Sequence, residues 1–501
     1  MLKPFLCLVP VFLYGCGASP SPPPAAPIPP EAPPIAQEPP LPAPSPENPT
    51  EHAQPASARV WLSTFDGSQR LVEQTPVAFT DSATGAPEAI TIDIDETQRH
   101  QTIVGFGAAL TDSSAWLINT TLNEEQRAAL MSKLFDPGEG IGLSYVRHGI
   151  GATDFSLANY TYSDTPADAD AQAKSFSIDY ERANLLPVLK QALALNPDLR
   201  IMGSPWSAPA WMKSSGVLAG GALRTDSYAA YAEYLVSYID AFAREGVPIE
   251  SITMQNEPLH ESPGYPSMRM EAREQAHFVS NHLGPRLTQA GLPTRLFVYD
   301  HNWDGPDYPI EVLNDADARQ YAAGTAFHCY AGEVSGQARV REMHPDKEIR
   351  LTECTGSMGS QFGPDMHWWI RNLFIGSMRH WASAVLLWNL ALDENSGPQN
   401  GGCTNCRGVV TIEPATGNVT YNGEYHALGH ASLAARPGAS RIESSRVEGT
   451  IDSVAFLNPD RSKGLLLLNE RTEATPVTIR WAGRSLSYQL PGGAVATLRW
   501  P

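Results

Sequence analysis

Hydrophobic and polar residues alternate near both ends of the chain, which is the period-two pattern of half-buried strands. Near the amino end, residues 60–64 and 89–94 alternate, with no helical stripe between them. The last 70 residues hold four more such segments between Asn, Asp, Gly and Pro turns: 454–457, 464–468, 477–481 and 494–498. Strand-only segments at opposite chain ends can pair, so residues 58–95 and 432–501 predict one β-sandwich formed by both ends of the chain.

The middle of the chain, residues 96–431, alternates between apolar strand-like runs and amphipathic helical stretches. The predicted helices include 123–134, 183–195, 228–243 and 273–290. The predicted strands are 102–106, 143–148, 200–204, 249–255, 295–299, 325–329, 349–352 and 384–388. Eight strands with intervening helices predict a (β/α)₈ barrel of α/β class, whose active site lies at the carboxyl ends of the strands.

Two of these strands run into a glutamate. Glu257 follows the fourth strand and is stopped by Pro258, which disfavours helical geometry in the residue before it. Glu353 ends the seventh strand. Taken alone, either could be an ordinary surface glutamate at the start of a loop. Two glutamates at strand ends of one barrel instead predict a paired-carboxylate site, in which a neighbouring charge and burial raise the pKa of the acid.

Aromatic residues crowd the same predicted strand ends. Trp206 and Trp211 follow the third strand, Tyr330 follows the sixth and Trp388 ends the eighth. A single aromatic residue is more often part of a core. Four of them at carboxyl ends favour a cleft in which aromatic faces stack on sugar rings.

The net charge of −19 narrows the possible partners. Nucleic-acid binding needs a basic surface, and charge-driven docking on an anionic membrane needs one as well. Both are therefore excluded as the main function. An acidic surface suits a neutral sugar substrate, although acidity that only maintains solubility explains the same number.

The first residues resemble an export signal. One lysine precedes an apolar run at residues 5–14, and Leu13-Tyr14-Gly15-Cys16 resembles a bacterial lipobox. We expect residues 1–16 to be a lipoprotein signal peptide with Cys16 as the lipidated residue; an ordinary secretory signal is the alternative. Residues 17–57 form a Pro-rich linker, since 16 of the 43 prolines lie between 20 and 55. The protein is then exported, to the outer membrane or cell surface or into the medium, and contacts a membrane only through its anchor.

The cysteines suggest disulfide chemistry. Cys403 and Cys406 form a CxxC pair without a second pair or a nearby histidine cluster, so a local disulfide is favoured over zinc. Cys329 and Cys354 each lie at a predicted strand end. They are either buried free thiols or face each other near the site.

Several stretches together resemble family 30 of the glycoside hydrolases, the family of lysosomal glucosylceramidase and β-1,6-glucanases. The resemblance extends from about Arg59 to the carboxyl terminus. The matching segments are 104–112, Arg147, 154–156, 160–162, 204–206, 256–258, 328–330, 353–354 and 388–392. The loop 400–407, with its two cysteines, is closer to bacterial glucanase-like members.

The resemblance implies a retaining double displacement without a metal or other cofactor. By position, Glu257 is similar to the acid/base and Glu353 to the nucleophile. The remaining positions are similar to those that bind the sugar or orient the nucleophile: Arg147, Asp154, Trp206, Asn256, His328, Tyr330 and Trp388.

The leading hypothesis is therefore an exported retaining hydrolase of β-glucosidic bonds, acting on β-1,6-glucan. A second hypothesis keeps the mechanism and makes the substrate glucosylceramide or a small glucoside. A third, of another class, is a carbohydrate-binding surface protein without activity. The presence of both glutamates argues against the third. The sequence leaves endo or exo action and the oligomeric state open.

Overall fold

A computed structural model describes residues 57–81, 88–165 and 176–501. The predicted signal segment with Cys16 lies outside the described residues. So does the predicted linker, except for its last residue, Ser57. Among the helices that are described, none is both long and apolar enough to cross a membrane.

Eight parallel strands close into a barrel in chain order, as predicted, with the eighth paired to the first. The prediction for the first strand was wrong, because Thr102 ends a long sandwich strand instead. The barrel strands are Gly105–Ala109, Tyr145–Gly149, Arg200–Ser204, Ser251–Thr253, Arg295–Asn302, Ala322–His328, Glu348–Glu353 and Ala382–Leu387.

The interior of the barrel is a packed core and not a pore. Its apolar layer holds Tyr145, Met202 and Phe297, among others. At the amino end of the strands, Arg350 is buried against the Glu250 carboxylate at 2.9 Å and lies over the Phe297 ring at 3.9 Å. This end of the barrel is sealed by structural contacts, which leaves the carboxyl end for chemistry.

Helices surround the barrel. Glu124–Phe135 begins with a capping box, in which the Asn123 side chain accepts from the Gln126 backbone N–H and the Gln126 side chain accepts from the Asn123 backbone N–H. The prediction of one helix over 273–290 was wrong, because a π-helical turn at Val279–Leu283 separates two shorter α-helices. The α-helices are Asp112–Trp116, Glu124–Phe135, Leu185–Leu195, Tyr228–Arg244, Ala272–Phe278, Gly284–Ala290, Asp307–Asn314, Ala316–Arg319, Gly336–Met343, Phe362–Trp369, Ser377–Arg379 and Gly423–Ala434.

Both chain ends build the second layer, as predicted. Nine strands follow one another in a hydrogen-bonded order in which Ser57–Ser63 pairs with Val495–Trp500. The two end strands of this order approach each other through a bridge between Thr80 and Ser485, so the sheet encloses its own apolar core. The strands are Ser57–Ser63, Val72–Ala78, Ile90–Thr102, Ser440–Ser444, Ile451–Leu457, Lys463–Asn469, Thr475–Trp481, Arg484–Leu490 and Val495–Trp500.

Several short strands lie at the carboxyl end of the barrel. Gly356–Ser357, just after the seventh barrel strand, pairs with Cys406–Arg407. Ala391–Leu392, Val410–Glu413 and Asn418–Tyr421 form a separate small sheet. The first pairing holds the cysteine loop beside the end of the strand that carries Glu353.

Candidate active site

One cleft of about 400 Å³ opens at the carboxyl ends of the barrel strands. Seven of the nine predicted site residues line it; the other two, Arg147 and His328, lie beneath it and contact residues that do. Trp211 does not line it, because its indole N–H turns away to donate to the Ser163 carbonyl. The lining residues are Asp154, Trp206, Asn256, Glu257, His260, Tyr265, His301, Asn302, Tyr330, Glu353, Thr355, Ser357, Trp388, Cys403, Asn405 and Cys406.

The two glutamates meet in this cleft. One oxygen of Glu257 and one oxygen of Glu353 lie within 4.8 Å of each other. Glu257 has a left-handed backbone (φ 46°), and its N–H donates to the Asp300 carbonyl at 3.0 Å. This conformation is uncommon for a residue with a side chain and is fixed by its surroundings. The separation suits a retaining glycosidase, whose carboxyl groups are about 5–5.5 Å apart, and is shorter than the about 6.5–9.5 Å of inverting enzymes.

Two donors fix the Glu353 carboxylate from opposite sides. Arg147 donates to Oε2 at 2.6 Å, and the Tyr330 hydroxyl donates to Oε1 at 3.0 Å. Arg147 is fully buried, and it also donates to the Asn256 side-chain oxygen at 2.6 Å. The expected roles of Arg147 and Tyr330 as partners of Glu353 therefore agree with the geometry.

Asp300 was missed by the sequence analysis, although it lies at the end of the fifth barrel strand. Its carboxylate is completely buried beneath the cleft and accepts hydrogen bonds from five side chains. The donors are Arg147, Ser204, Thr253, His328 and Thr352. Burial opposes its charge, but Arg147 and His328 outweigh burial and hold the pKa of Asp300 well below its usual range.

His328 connects Asp300 to the glutamates. Its Nε2 lies 3.0 Å from Asp300, and its Nδ1 lies 3.0 Å from Glu257 and 3.8 Å from Glu353. Burial disfavours the imidazolium, but the Glu353 charge and the hydrogen bonds to Asp300 and Glu257 raise the pKa of His328 to about 10. His328 is therefore a cation at neutral pH, with both ring nitrogens donating.

The sequence predicted a raised pKa for the acid of the pair, Glu257. The structure instead indicates a lowered pKa for Glu257 and a raised pKa for Glu353. Burial raises the pKa of Glu257, but the hydrogen bond and charge of His328 outweigh it and lower that pKa overall. Burial and the Glu257 charge raise the pKa of Glu353, against the pull of His328 and Arg147. The sequence could not show this, because it did not reveal the imidazolium on Glu257.

The donor atoms of Glu257, His328 and Glu353 are close enough together to hold a metal ion. However, the raised pKa of His328 keeps its Nδ1 protonated at neutral pH, so a metal ion would first have to displace that proton. The chemistry of this donor set therefore favours proton transfer over metal binding.

Aromatic rings and one carboxylate form the sugar-facing wall. Trp206 and Trp388 stack with ring centroids 5.1 Å apart, and Arg147 lies over the Trp206 ring at 4.9 Å. Oδ1 of Asp154 is buried and has no hydrogen-bond partner among the described residues. Burial and the charges of Glu353 and Glu257 raise its pKa well above the ordinary value. An unpaired buried oxygen of this kind can take its hydrogen bond from a hydroxyl group of a ligand in the cleft.

The opposite wall was largely missed by the sequence analysis. His260 and Tyr265 are joined by a hydrogen bond of 2.9 Å, and His301 lies 3.7 Å from Glu257. Asn302 accepts from the Tyr330 backbone N–H at 3.0 Å. The signal for His301 and Asn302 was present, since the polar run Asp300-His301-Asn302 ends a predicted barrel strand.

Both remaining cysteine pairs are disulfides. Cys403–Cys406 was favoured from the sequence and forms part of the cleft wall. Cys329–Cys354, which the sequence left open, joins the ends of the sixth and seventh barrel strands. Because Cys354 follows Glu353 and Cys329 lies between His328 and Tyr330, this bond fixes the backbone under three groups of the site.

Two domain models of one known family match most of the chain from residue 103 onward. The family model described as "Glycosyl hydrolase family 30 TIM-barrel domain" matches residues 103–433, and the corresponding "beta sandwich domain" matches residues 438–498. These two matches contain both glutamates and every other residue that lines the cleft.

Curated proteins and solved structures are similar to this chain over most of their length. Endo-1,6-beta-D-glucanase neg1 of Aspergillus fumigatus is 34% identical over 482 residues, covering 89% of this chain and 95% of the relative. Lysosomal acid glucosylceramidase of Mus musculus is 28% identical, covering 86% and 87%. The solved endo-beta1,6-glucanase BT3312 superposes with a TM-score of 0.82 at 31% identity, covering 89% and 99%.

Proposed function

Since the chain belongs to glycosyl hydrolase family 30 and is a retaining glycosidase of that family, we propose that its substrate is β-1,6-glucan and that it cleaves the polymer internally. The relatives with 33–34% identity are described as endo-1,6-beta-D-glucanases, and they match over 84–90% of this chain. The observation that carries the proposal is the facing pair of glutamates at retaining distance in a chain with these relatives.

We assign Glu353 as the nucleophile and Glu257 as the acid/base. In the first step a Glu353 oxygen bonds to the anomeric carbon, and the glycosidic bond breaks as Glu257 gives its proton to the leaving oxygen. In the second step Glu257 takes a proton from water, the water oxygen bonds to the anomeric carbon, and the bond to Glu353 breaks. Two displacements on one carbon return the β configuration.

His328 supports the first step at Glu257. Its Nδ1 is 3.0 Å from the carboxyl that first loses and then regains a proton. In the ionised state of Glu257 the imidazolium stabilises the carboxylate, which promotes proton donation to the leaving group. Asp300 keeps His328 charged and oriented from the other ring nitrogen, and Arg147 and Tyr330 orient Glu353.

The sugar in the cleft is held from its faces and its edge. Trp206 and Trp388 offer aromatic surface, and the free carboxyl oxygen of Asp154 accepts or donates to a hydroxyl. Asn256 is oriented by Arg147 through its oxygen, which turns its NH₂ group toward the sugar 2-hydroxyl. That contact strengthens as charge develops in the transition state.

The test is the product profile of residues 57–501 on linear β-1,6-glucan, resolved by chromatography. Short oligosaccharides that appear early support internal cleavage. Glucose as the sole product means exo action and contradicts the endo part. Absence of any product from this polymer overturns the substrate proposal.

Glucosylceramide is the second candidate, because five of the relatives are described as glucosylceramidases, putative ones among them. Their identity of 28–31% is lower than that of the glucanases. Release of ceramide by the same protein, without cleavage of β-1,6-glucan, favours this alternative.

We also propose that the protein is exported and anchored through Cys16. The support is the apolar run at residues 5–14, the lipobox-like segment that ends at Cys16 and the Pro-rich stretch after it. A Cys16→Ser variant is expected to leave the membrane fraction of the producing cells. Fractionation unchanged by the substitution contradicts the anchor.

A further inference from the structure

A second groove, of about 560 Å³, lies between the barrel and the sandwich. On the barrel side it is lined by the helix Phe362–Trp369. On the sandwich side it is lined by the turns around residues 470–472 and 492–493 and by Phe65. No step of the proposed mechanism uses it.

Two aromatic side chains that line this groove are exposed to solvent. Trp368 is 39% exposed and Phe65 is 46% exposed. Phe65 lies directly against Gly363 and Gly493, where a Cβ atom would collide with Phe65 atoms. The two glycines therefore let the Phe65 segment seat closely while its ring remains open to solvent.

The groove also contains charged side chains, Glu470 and Arg471, which a purely apolar ligand would leave without hydrogen-bond partners. Only 8% of the Glu470 side chain is exposed, and its ion-pair partner Arg371 lies 3.7 Å away, too far for a hydrogen bond. No other described residue donates a hydrogen bond to this carboxylate. Arg471 offers a half-exposed guanidinium beside it. An almost buried acceptor without a donor, next to exposed aromatic faces, suits a ligand that carries hydroxyl groups on an apolar ring.

The groove lies close to the catalytic cleft. Ser357 lines the cleft and Pro364 lines the groove, and seven residues of chain span at most about 25 Å. Arg407, which follows the cleft residue Cys406, donates to Asp365 at 2.7 Å and to Glu424 at 2.9 Å. This network fixes the groove helix relative to the cleft wall, so one extended polymer can contact both places.

We propose that this groove is a second glycan-binding site that holds a stretch of β-glucan chain outside the catalytic cleft. The sugar rings stack on Trp368 and Phe65, and their hydroxyls donate to Glu470 and accept from Arg471. This inference rests on the proposed function, because the ligand is the class of polymer that the cleft hydrolyses. Holding the polymer at a second point raises its effective concentration at the cleft.

The test uses the Glu353→Gln protein, so that glucan is bound without being cleaved. Its affinity for soluble β-1,6-, β-1,3- and β-1,4-glucans is measured by affinity electrophoresis, with a short β-glucoside in excess to fill the cleft. Adding Trp368→Ala is expected to weaken binding of the retained glucan about tenfold, as loss of a central aromatic contact does. Glu470→Gln, which keeps size and shape, is expected to weaken it several-fold.

The matched control is Met343→Ala, which truncates a side chain that is 58% exposed on another helix. It is expected to leave glucan binding unchanged. In the active protein, Trp368→Ala should lower kcat/KM on long β-glucan while kcat/KM on an aryl β-glucoside remains unchanged.

The outcomes separate the two proposals. Cleavage of β-1,6-glucan together with equal binding by the parent and both groove variants overturns the groove and leaves the proposed function intact. Absence of β-1,6-glucan cleavage overturns the proposed substrate. In that case a Trp368-dependent affinity for another β-glucan still supports the groove, and no affinity for any of the three overturns it. Capture of a lipid or protein by the groove without glucan binding also contradicts it.

Discussion

Nδ1 of His328 lies 3.0 Å from Oε1 of Glu257, the carboxyl that we assign as the proton donor. Because Asp300 holds the other ring nitrogen at the same distance, the imidazole is charged and donates at both ends. The acid of the site therefore does not reach its working state through burial alone. Its proton affinity is set by a neighbouring cation, which in turn depends on a buried carboxylate.

Replacing His328 should move the pH profile in a defined direction. The cation lowers the pKa of Glu257, so His328→Gln is expected to raise that pKa. The alkaline limb of kcat/KM, which reports loss of the acid's proton, should then move to higher pH while the maximal rate falls. The measurement is the pH profile of aryl β-glucoside hydrolysis.

His301→Gln is the matched control for this experiment. His301 lies 3.7 Å from the same Glu257 oxygen and makes no hydrogen bond to it. It should shift the alkaline limb less than His328→Gln does. A downward shift in the His328 variant, or equal shifts in both variants, contradicts the assigned coupling.

Asp300 should be essential for stability as well as for activity. Asp300→Asn removes the buried carboxylate that Arg147 and His328 share and leaves these two cations paired only with the glutamates of the cleft, which is expected to cost about 3–5 kcal/mol of unfolding free energy. Urea denaturation measures this cost. Asp307→Asn is the control, because its pair with Arg339 is exposed and its loss should change stability by less than about 1 kcal/mol. Equal effects of the two substitutions would show that the Asp300 network adds nothing.

Glu181, which does not line the catalytic cleft, makes the stability of the protein depend on pH. Its carboxyl is buried and accepts from Tyr160 and Tyr162, and burial raises its pKa to about 8 against these hydrogen bonds. The folded protein thus keeps a proton that the unfolded chain loses above pH about 4.5. Stability from this group is full below that pH and falls by up to about 1.4 kcal/mol per pH unit until about pH 8.

The substitution Glu181→Gln should remove this dependence. We expect the variant to lose less unfolding free energy than the parent between pH 5.5 and 7.5, as measured by urea denaturation at both values. A parent and a variant with parallel pH dependence would contradict the raised pKa.

The two disulfides should contribute unequally. Cys329–Cys354 closes a loop with a separation of 25 residues. Loss of this disulfide is expected to lower the free energy of unfolding by about 3.5 kcal/mol. Cys403–Cys406 closes a loop with a separation of 3, and the same relation gives about 1.6 kcal/mol. Paired Cys→Ala variants and thermal denaturation measure both. The Cys329/Cys354 variant should also lose kcat, since the bond supports Glu353 and Tyr330; full activity would contradict that positioning role.

The barrel could be predicted from the sequence because its strands are apolar runs with clear helical stripes between them. The strand Val72–Ala78 could not, because it holds a proline, is mostly exposed and lies at the edge of its sheet. The helix over 273–290 was predicted as continuous because its apolar period continues through the π-helical turn.

In the site, the residues that follow strands on recognisable motifs were found, including Glu257, Glu353 and Trp388. Asp300 was missed because its importance lies in five partners from five other strands, which only the closed barrel brings together. The lowered pKa of Glu257 was missed for the same reason. Sequence spacing shows which groups are present, and the fold decides which of them share a proton.

The assignment of Glu353 as the nucleophile is tested most directly by trapping the covalent intermediate. The protein is incubated with a 2-deoxy-2-fluoro-β-glucoside that has a good leaving group, and its peptides are then analysed by mass spectrometry. We expect one fluoroglucosyl group on the peptide that contains Glu353, and none in Glu353→Gln. A label on Glu257, or turnover without any covalent label, would contradict it.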